Sequence, residues 1–600
     1  MEDRVVLEVL NPRNAMKTEE RRGLSAPRVT TLDGKRIAIV SEKPDGCLYL
    51  AQLREQLQKR HPTSTVDILN GYIFKPEVIL GQLKTYDTFI YGVRNTAAFN
   101  TEPAIVYEKA GIPGVHLCVG DNLYGQTKRN TLVFGLPGLR MIKLPSERWP
   151  GEEETEGFLR LVEATIDEIE SILTAPLTEE ERHPKPVSFD TGNLRFEGAD
   201  YDEAFEKFQT SFFEKGYTDG MAVAAPTPEA VKRMLTGTSR DPAEVLPGTM
   251  TPGYGIVTIE KIAVNAVMAG AKPEYLPVII TAVEMLCDEH YCAFHVIATV
   301  CSTSLLIQVN GPIAKEIGMH SGFGYLGPGN RANSAIGRAV SLCCINLGWM
   351  DFSIDGGMKG QPSRYCNLIF TESDDTTPWE PFHVSMGFRP EESTVMIDEI
   401  LHVDGDWPFE ISRMPSCTWT YGWKADLDRL AERAVGALPS GLEAAVHQVH
   451  DIHKLGGNSA DAFGLISGRN YILVLYPGQA RELAAKGFTR ESLARYIGDY
   501  HRFPWDELSS DLQASVLEAA KGARIPGLTV DDCKPGGTVP IFNTDRLAIL
   551  VAGPLQGQTV GMTSMGGYGG IQAPVPFDKP PKSPFFLKKI TGATLTKAGR

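Results

Sequence analysis

Short apolar runs alternate with amphipathic stretches from early in the chain. RIAIV (36–40), TVDIL (65–69), DTFIYGV (87–93) and GVHLCV (114–119) read as strands, and between them the apolar period lengthens to that of helices near 48–60, 76–84 and 101–110. Strands separated by helices predict parallel pairing, because the crossover helix returns the chain to the same sheet edge. The expectation is an α/β protein in which a polar leader (1–29) precedes a doubly wound, Rossmann-like or flavodoxin-like domain (30–145). Loops after the strands, at 41–46, 94–100 and 120–124, should then share the edge where such folds take ligands.

A change of composition follows. Residues 146–198 combine an acidic helix (152–173) with the connector LTEEERHPKPVSFDTG (177–192), and a larger α/β region is expected over 199–600. Within it LLIQVNGPIAKEIGM (305–319), YILVLYPGQARELAAKG (471–487) and LAILVAGPLQGQTVGM (547–562) share strand-turn-helix or strand-turn-loop grammar. Pro312 and Pro477 suit first-turn helix positions, where no backbone N–H is required. Duplication and the recurring grammar of any α/β protein explain the similarity equally well.

The stretch 305–338 carries the richest candidate chemistry. An apolar strand ends at Asn310-Gly311-Pro312, and a loop with glycines at 322, 324, 327 and 329 then delivers Asn330, Arg331 and Asn333 to the start of a largely buried helix. Glycine permits close backbone approach, and a helix start favours negative charge, so this segment predicts a cradle for a small anionic or carbonyl-bearing ligand. Arg331 supplies a guanidinium fork for a carboxylate, Asn310, Asn330 and Asn333 supply amides, and Arg338 lies two turns on. Tyr325 in the loop is a candidate to polarise a substrate oxygen. In ESDDTTPWEPFH (372–383), Glu372, Glu380 and His383 surround Trp379 and are candidates for proton transfer, since an aromatic wall raises a carboxyl pKa. The structural alternatives are a helix cap that closes the loop on itself and a solvated acidic turn.

Charge removes one class of partner. With 59 basic and 74 acidic residues the chain carries a formal −15, so nucleic acid is not expected. No apolar run reaches the roughly 18–20 residues that cross a bilayer, and a cytoplasmic homo-oligomer acting on a small molecule is expected. Ten cysteines form no CxxC pair and read as buried thiols. Cys287, His290, Cys292 and His295, and His447, His450 and His453 with Asp451, are conceivable metal clusters, but neither spacing matches a zinc pattern. No glycine-rich nucleotide fingerprint follows the first strand, and no cofactor is predicted.

Several ordered landmarks resemble the UGSC family, proteins related to the selenoprotein B component of glycine, sarcosine and betaine reductases. They are LDGKRIAIV (32–40), EKAGIP (108–113), YTDGMAVAAPTPEAVKRML (217–235), TIEKIAVNAVMAGAKPEYLPVIITAVEML (258–286), GPGNRANSAIGRA (327–339), PWEPFH (378–383) and ILVAGP (549–554). The resemblance runs over nearly the whole chain. It implies a redox-active tetrapeptide of selenocysteine or cysteine, Gly, Ser and Cys between the third strand and the GIP turn. Here that interval, YGVRNTAAFNTEPAIVYEKAGIP (91–113), contains no cysteine. Thiol chemistry does not transfer to this loop, where Arg94, Asn95 and Thr96 are the polar groups left to face a ligand. The expected function is therefore non-redox acid/base chemistry of the lyase or hydratase type on a small carboxylate- or carbonyl-containing metabolite. The alternatives are a thiol-dependent reductase or transferase using another cysteine, Cys301 foremost, and a non-catalytic ligand-binding protein.

Overall fold

The computed structural model describes residues 4–41, 47–71, 76–92, 101–145, 155–298, 303–355, 366–405, 470–500, 502–508, 510–540, 543–555, 560–564 and 583–597. Near the N-terminus β1 (Val5–Val9) is followed by a parallel five-stranded sheet built from β2 (Arg36–Ser41), β3 (Thr65–Asn70), β4 (Thr88–Gly92), β5 (Gly114–Val119) and β6 (Met141–Leu144). Its order β3-β2-β4-β5-β6 is the doubly wound order in which the direction of strand addition reverses between β2 and β4. All four pairings are parallel. The central strands β2, β4 and β5 are buried on both sides, as layers of helices require.

The helices α1 (Leu48–Arg60), α2 (Thr101–Lys109), α3 (Gly120–Val133) and α4 (Thr155–Thr174) belong to this unit. The acidic helix expected at 152–173 is α4. Its apolar positions Phe158, Leu161, Val162, Ile166 and Ile169 recur at helical spacing and close one core with Leu50, Leu53 and Leu57 of α1. The connector after it is stapled by Arg140, whose guanidinium meets Glu181 at 2.7 Å and donates to the carbonyls of Ile172, Ala175 and Pro176. Burial works against the Glu181 carboxylate, but the Arg140 guanidinium and the Thr178 N–H outweigh it and hold its pKa at about 2.

Part of the polar leader is held by the C-terminal region. β1 pairs antiparallel with β7 (Leu194–Gly198), which packs against α5 (Tyr201–Glu214). The buried Lys261 ammonium donates to the Asn11 carbonyl at 2.7 Å, and Arg13 lies between the rings of Tyr217 and Trp349. The helical core of this region is formed by α6 (Ile259–Met268), α7 (Leu276–Leu286) and α8 (Arg331–Leu347), whose apolar faces meet the outer side of a second sheet.

That second sheet has seven strands: β8 (Ser304–Asn310), β9 (Leu368–Thr371), β10 (Thr394–Gly405), β11 (Tyr471–Leu475), β14 (Leu547–Val551), β15 (Val560–Ser564) and β16 (Phe586–Lys589). A separate short pair joins β12 (Arg502–Pro504) to β13 (Thr538–Pro540). The main order, β14-β11-β15-β10-β8-β9, is palindromic in its pairing directions. β8 is parallel to β9 and antiparallel to β10, just as β11 is parallel to β14 and antiparallel to β15. β10 and β15 join the halves in antiparallel register. Of the three similar sequence segments, those starting at 305 and 471 are thus equivalent in topology. The one starting at 547 corresponds instead to β9.

The sheet curls until its two edges meet. Ser373, just past β9, donates its backbone N–H to the Val551 carbonyl of β14 at 2.8 Å. Leu306, Phe370, Met396, Ile472, Val474, Ala548 and Leu550 fill the inner side. The outer side is covered in one half by the core of α6, α7 and α8. In the other half α11 (Pro477–Ala485), α12 (Arg490–Tyr500) and α13 (Ser510–Lys521) cover it. Among the described residues, no helix is long and apolar enough to cross a membrane.

The parallel sheet is clamped to the rest through α3. Arg129 grips the buried Asp355 of α9 (Phe352–Asp355) with two bonds of 2.5 and 3.0 Å, and the Gln126 amide and Asp351 N–H complete the carboxylate's coordination. Removing one member of a buried pair strands the other charge, at a cost of about 3–5 kcal/mol. Arg129→Ala should therefore lower the urea midpoint far more than Arg160→Ala, a surface control. Equal midpoints for the two variants would show that the clamp does not hold the interface.

Candidate functional site

The site is built where β8, β9 and β14 end. β8 turns at Gly311, whose φ of +88° favours glycine; a Cβ there would lie 2.3 Å from the Glu392 carbonyl. Asn310 is fully buried, with its amide oriented so that the oxygen accepts from the His383 backbone N–H (3.1 Å) and the nitrogen donates to Gln308 Oε1 (2.9 Å). Its role is to tie the end of β8 to α10 (Phe382–Ser385).

Beyond β9, Glu372 continues the inward series of Leu368 and Phe370. Its Oε1 receives Arg490 Nη2 of α12 at 2.7 Å and the Val551 N–H at 3.0 Å, while Oε2 accepts from the Phe382 N–H at 2.8 Å. Both oxygens are engaged, so Glu372 serves as the charged keystone of the closure, in place of the proton carrier expected from sequence. Arg490 also lies over the Trp379 ring at 5.6 Å and donates to the Glu380 carbonyl, whereas the Glu380 side chain is exposed. The aromatic wall therefore faces a guanidinium rather than the expected carboxylates.

The group with unspent capacity is Asp374. Burial, reinforced by the neighbouring Glu372 charge, pushes its carboxyl up to about 7, against the opposing effect of a hydrogen bond from the Gly311 N–H. Its Oδ1 is buried without a partner. Two further side chains, those of His383 and Tyr325, share that condition. His383 is buried, and burial lowers its pKa. The carbonyls of Pro390 and Arg389 are near enough to favour its protonated form, yet neither ring nitrogen makes a hydrogen bond of normal geometry. Tyr325 packs edge-on against Phe370 and lies against Gly553, with its hydroxyl buried and unpartnered, and burial raises its pKa.

The glycine loop is the wall that carries Tyr325. Asn330 caps α8 by accepting from the Asn333 N–H and donates to the Gly318 carbonyl. Asn333 is buried, accepts from the His320 N–H and donates toward the carbonyls of His320, Tyr325 and Ile369. Asn330 and Asn333, which sequence assigned to a ligand, are thus spent on shaping the loop. Arg331 lies two residues before Asn333, on the opposite side of the helix, where it is exposed and donates to the Gly270 carbonyl. Arg338 is forked onto Asp219 at 2.9 and 3.0 Å. The five polar residues of the expected cradle are therefore divided: Asn310 ties β8 to α10, two amides organise the loop, one guanidinium faces outward, and the other is internally paired.

Arg94, Asn95 and Thr96 lie outside the described residues. α8 has 17 residues and is about 25 Å long; Asn330 caps one end, and α9, against which α3 packs, follows the other. His447, His450, His453, Asp451, Cys301 and the His295 side chain also lie outside the described residues. Among those described, no group of three or more His, Cys, Asp or Glu is placed to hold a metal ion. Cys292 is buried beside Phe294 and Ala298. Burial raises the pKa of the thiols of Cys118, Cys287 and Cys343, which disfavours the thiolate form at these positions.

Comparison with known proteins bears on the N-terminal part. Residues 8–175 match the UGSC family. Over this stretch the chain is similar to that family. The UGSC match covers the whole parallel sheet and ends just after α4, so the curled sheet and its rim lie beyond it. No curated protein matches the chain.

Asp374 and Arg490 are the residues that sequence reading missed. Asp374 sits inside the acidic segment 372–383 but looks like any solvated turn carboxylate until burial is known. Arg490 is 118 residues from Glu372, with no local pattern to join them. The raised Asp374 pKa has a thermodynamic consequence. The folded chain binds this proton more tightly than the unfolded chain, so stability falls as pH rises from about 4 to about 7. Asp374→Asn should raise Tm at pH 8 and leave it unchanged at pH 3.5, as measured by calorimetry; equal shifts at both values would contradict a buried, near-neutral carboxyl.

Proposed function

We propose that the chain is an enzyme that performs non-redox acid/base chemistry, of the lyase or hydratase type, on a small carboxylate- or carbonyl-containing metabolite. The observation that carries this reading is Asp374, a carboxyl poised near neutrality whose Oδ1 is buried without a partner. A general base works best when its pKa lies near the operating pH, and a buried polar atom without a partner marks a place that a ligand would complete.

In this reading the Asp374 carboxylate removes a proton from carbon next to a carbonyl, or from water that adds to a double bond. Tyr325 donates to the carbonyl oxygen as negative charge develops there. The glycine loop excludes water from that oxygen. Glu372, held by Arg490, keeps the rim in place and raises the proton affinity of Asp374 through its charge.

Hydrogen–deuterium exchange at carbon, followed by proton NMR for a panel of small hydroxy- and keto-compounds in D2O, tests the reading whatever the product is. Wild-type protein should catalyse exchange of at least one compound, with a rate that rises with pH through about 7. Asp374→Asn should lose about 100- to 10,000-fold of that rate, the usual worth of a positioned general base. Undiminished exchange by the variant would remove Asp374 from the chemistry.

A further inference from the structure

We infer that the outer edge of β1 is an interaction surface for a second copy of this chain, paired antiparallel about a two-fold axis at Val6. Among the described residues β1 and β7 form a ribbon of two strands, so each has one side without a strand partner. An edge of that kind is a template for main-chain pairing with another strand. The inference is independent of the proton-transfer reading of Asp374.

Hydrogen bonds at the ribbon show which backbone groups are open. Glu197 of β7 stands directly opposite Val6, and its carbonyl accepts from the Lys207 ammonium of α5 at 2.8 Å. Leu10, which continues β1, donates its N–H to the Pro226 carbonyl at 2.9 Å. Both bonds leave the ribbon, and the backbone groups of successive strand residues point to opposite sides. Val6 and Glu197 are therefore a non-hydrogen-bonded pair, and the N–H and C=O groups of Val6 and Glu8 face outward from β1, in step with Leu10. Lys207 covers the β7 edge. At the β1 edge, among the described residues, no bond from outside the ribbon reaches the backbone of Val6 or Glu8, and Val5 and Val6 are 37% and 40% exposed.

The side chains of this edge are complementary to themselves. With the axis at Val6, Arg4 stands opposite the second copy's Glu8, Glu8 opposite its Arg4, and Val6 opposite its Val6. The outward backbone groups of Val6 and Glu8 are the ones this register bonds, because alternate opposite pairs exchange N–H and C=O. Arg195 is the partner of Glu8 inside the ribbon, so the joined ribbons would carry a row of Arg195, Glu8 and the second copy's Arg4, alternating in sign. On the other face Val5 alternates with Leu7 and Val9, which belong to the core beneath α5, and it would meet the second copy's Leu7. Val5 is opposite Gly198, three residues before Tyr201, whose ring is exposed and stacked on Phe205, so apolar surface continues along this face. Moving the axis to Glu8 would set two glutamates face to face and would need the Leu10 N–H, which Pro226 holds.

Sedimentation equilibrium of the full chain tests the pairing. Wild-type protein should dimerise, with the roughly micromolar affinity of a small interface. Val6→Lys should weaken the dimer about tenfold or more by placing two ammonium groups across the axis. Within its own ribbon the new side chain stands opposite Glu197, so Tm should be retained. Arg4→Glu should weaken the dimer roughly tenfold, and Arg4→Glu combined with Glu8→Arg should restore it. Val6→Cys should give a disulfide-linked dimer on mild oxidation, because a hydrogen-bonded antiparallel pair holds its Cα atoms about 5.5 Å apart; wild-type protein and Arg195→Cys should give none. A wild-type monomer at about 100 µM would overturn the proposal, as would a dimer indifferent to Val6→Lys. Failure of the double charge reversal to recover affinity would overturn the register. A monomer whose Val6 amide is protected from hydrogen exchange would assign the edge to another stretch of the same chain and overturn the proposal too.

Discussion

The buried pairing of Glu372 with Arg490 is the interaction on which the C-terminal half turns. It joins the end of β9 to α12, and through the Val551 and Phe382 N–H groups it draws in β14 and α10 as well. Four elements from distant parts of the chain are thereby fixed around one carboxylate. Such a pair gains little net stability over an apolar contact, because both charges leave water, but its geometry is exacting and its rupture is expensive. The curled sheet therefore closes in one register. The same negative charge, held in place by Arg490, acts on Asp374 nearby, so closure of the fold and the proton affinity of the rim have a common origin.

Elsewhere the molecule uses arginine in the same manner. Arg129 on Asp355, Arg338 on Asp219 and Arg140 on Glu181 each present a planar fork to a carboxylate at a junction between elements. This habit explains why arginine beside glycine is a misleading sign of a ligand in this sequence. At Arg338 the partner is 119 residues away and no local feature announces it.

What the sequence makes legible is set by range. The parallel sheet follows from strand and helix alternating over about a hundred residues, with each strand beside one reached by a short crossover, and its order needs only the usual crossover rules. The curled sheet joins strands 305 and 547 residues into the chain, and its register depends on cross-strand pairs that periodicity does not contain. The site divides on the same line. Glu372, His383 and Tyr325 stand out because their local segments are unusual, yet Glu372 is spent on Arg490 and backbone N–H groups, and Tyr325 packs against Phe370. Asn330 and Asn333 stand out for the same reason but act as a cap and a loop brace. Asp374 escapes notice because desolvation, which gives it its character, is a property of the folded surroundings alone.

The palindromic strand order has an implication for ancestry. Two identical three-stranded units that associate about a dyad would generate this arrangement, and would begin with a pair of equal mouths. In the present chain the counterpart of the segment bearing Glu372 and Asp374 reads Ala552-Gly553-Pro554, which has nothing to ionise. Gly553 instead lies against the ring of Tyr325. The β14 end therefore offers a packing surface where the β9 end offers two carboxyls.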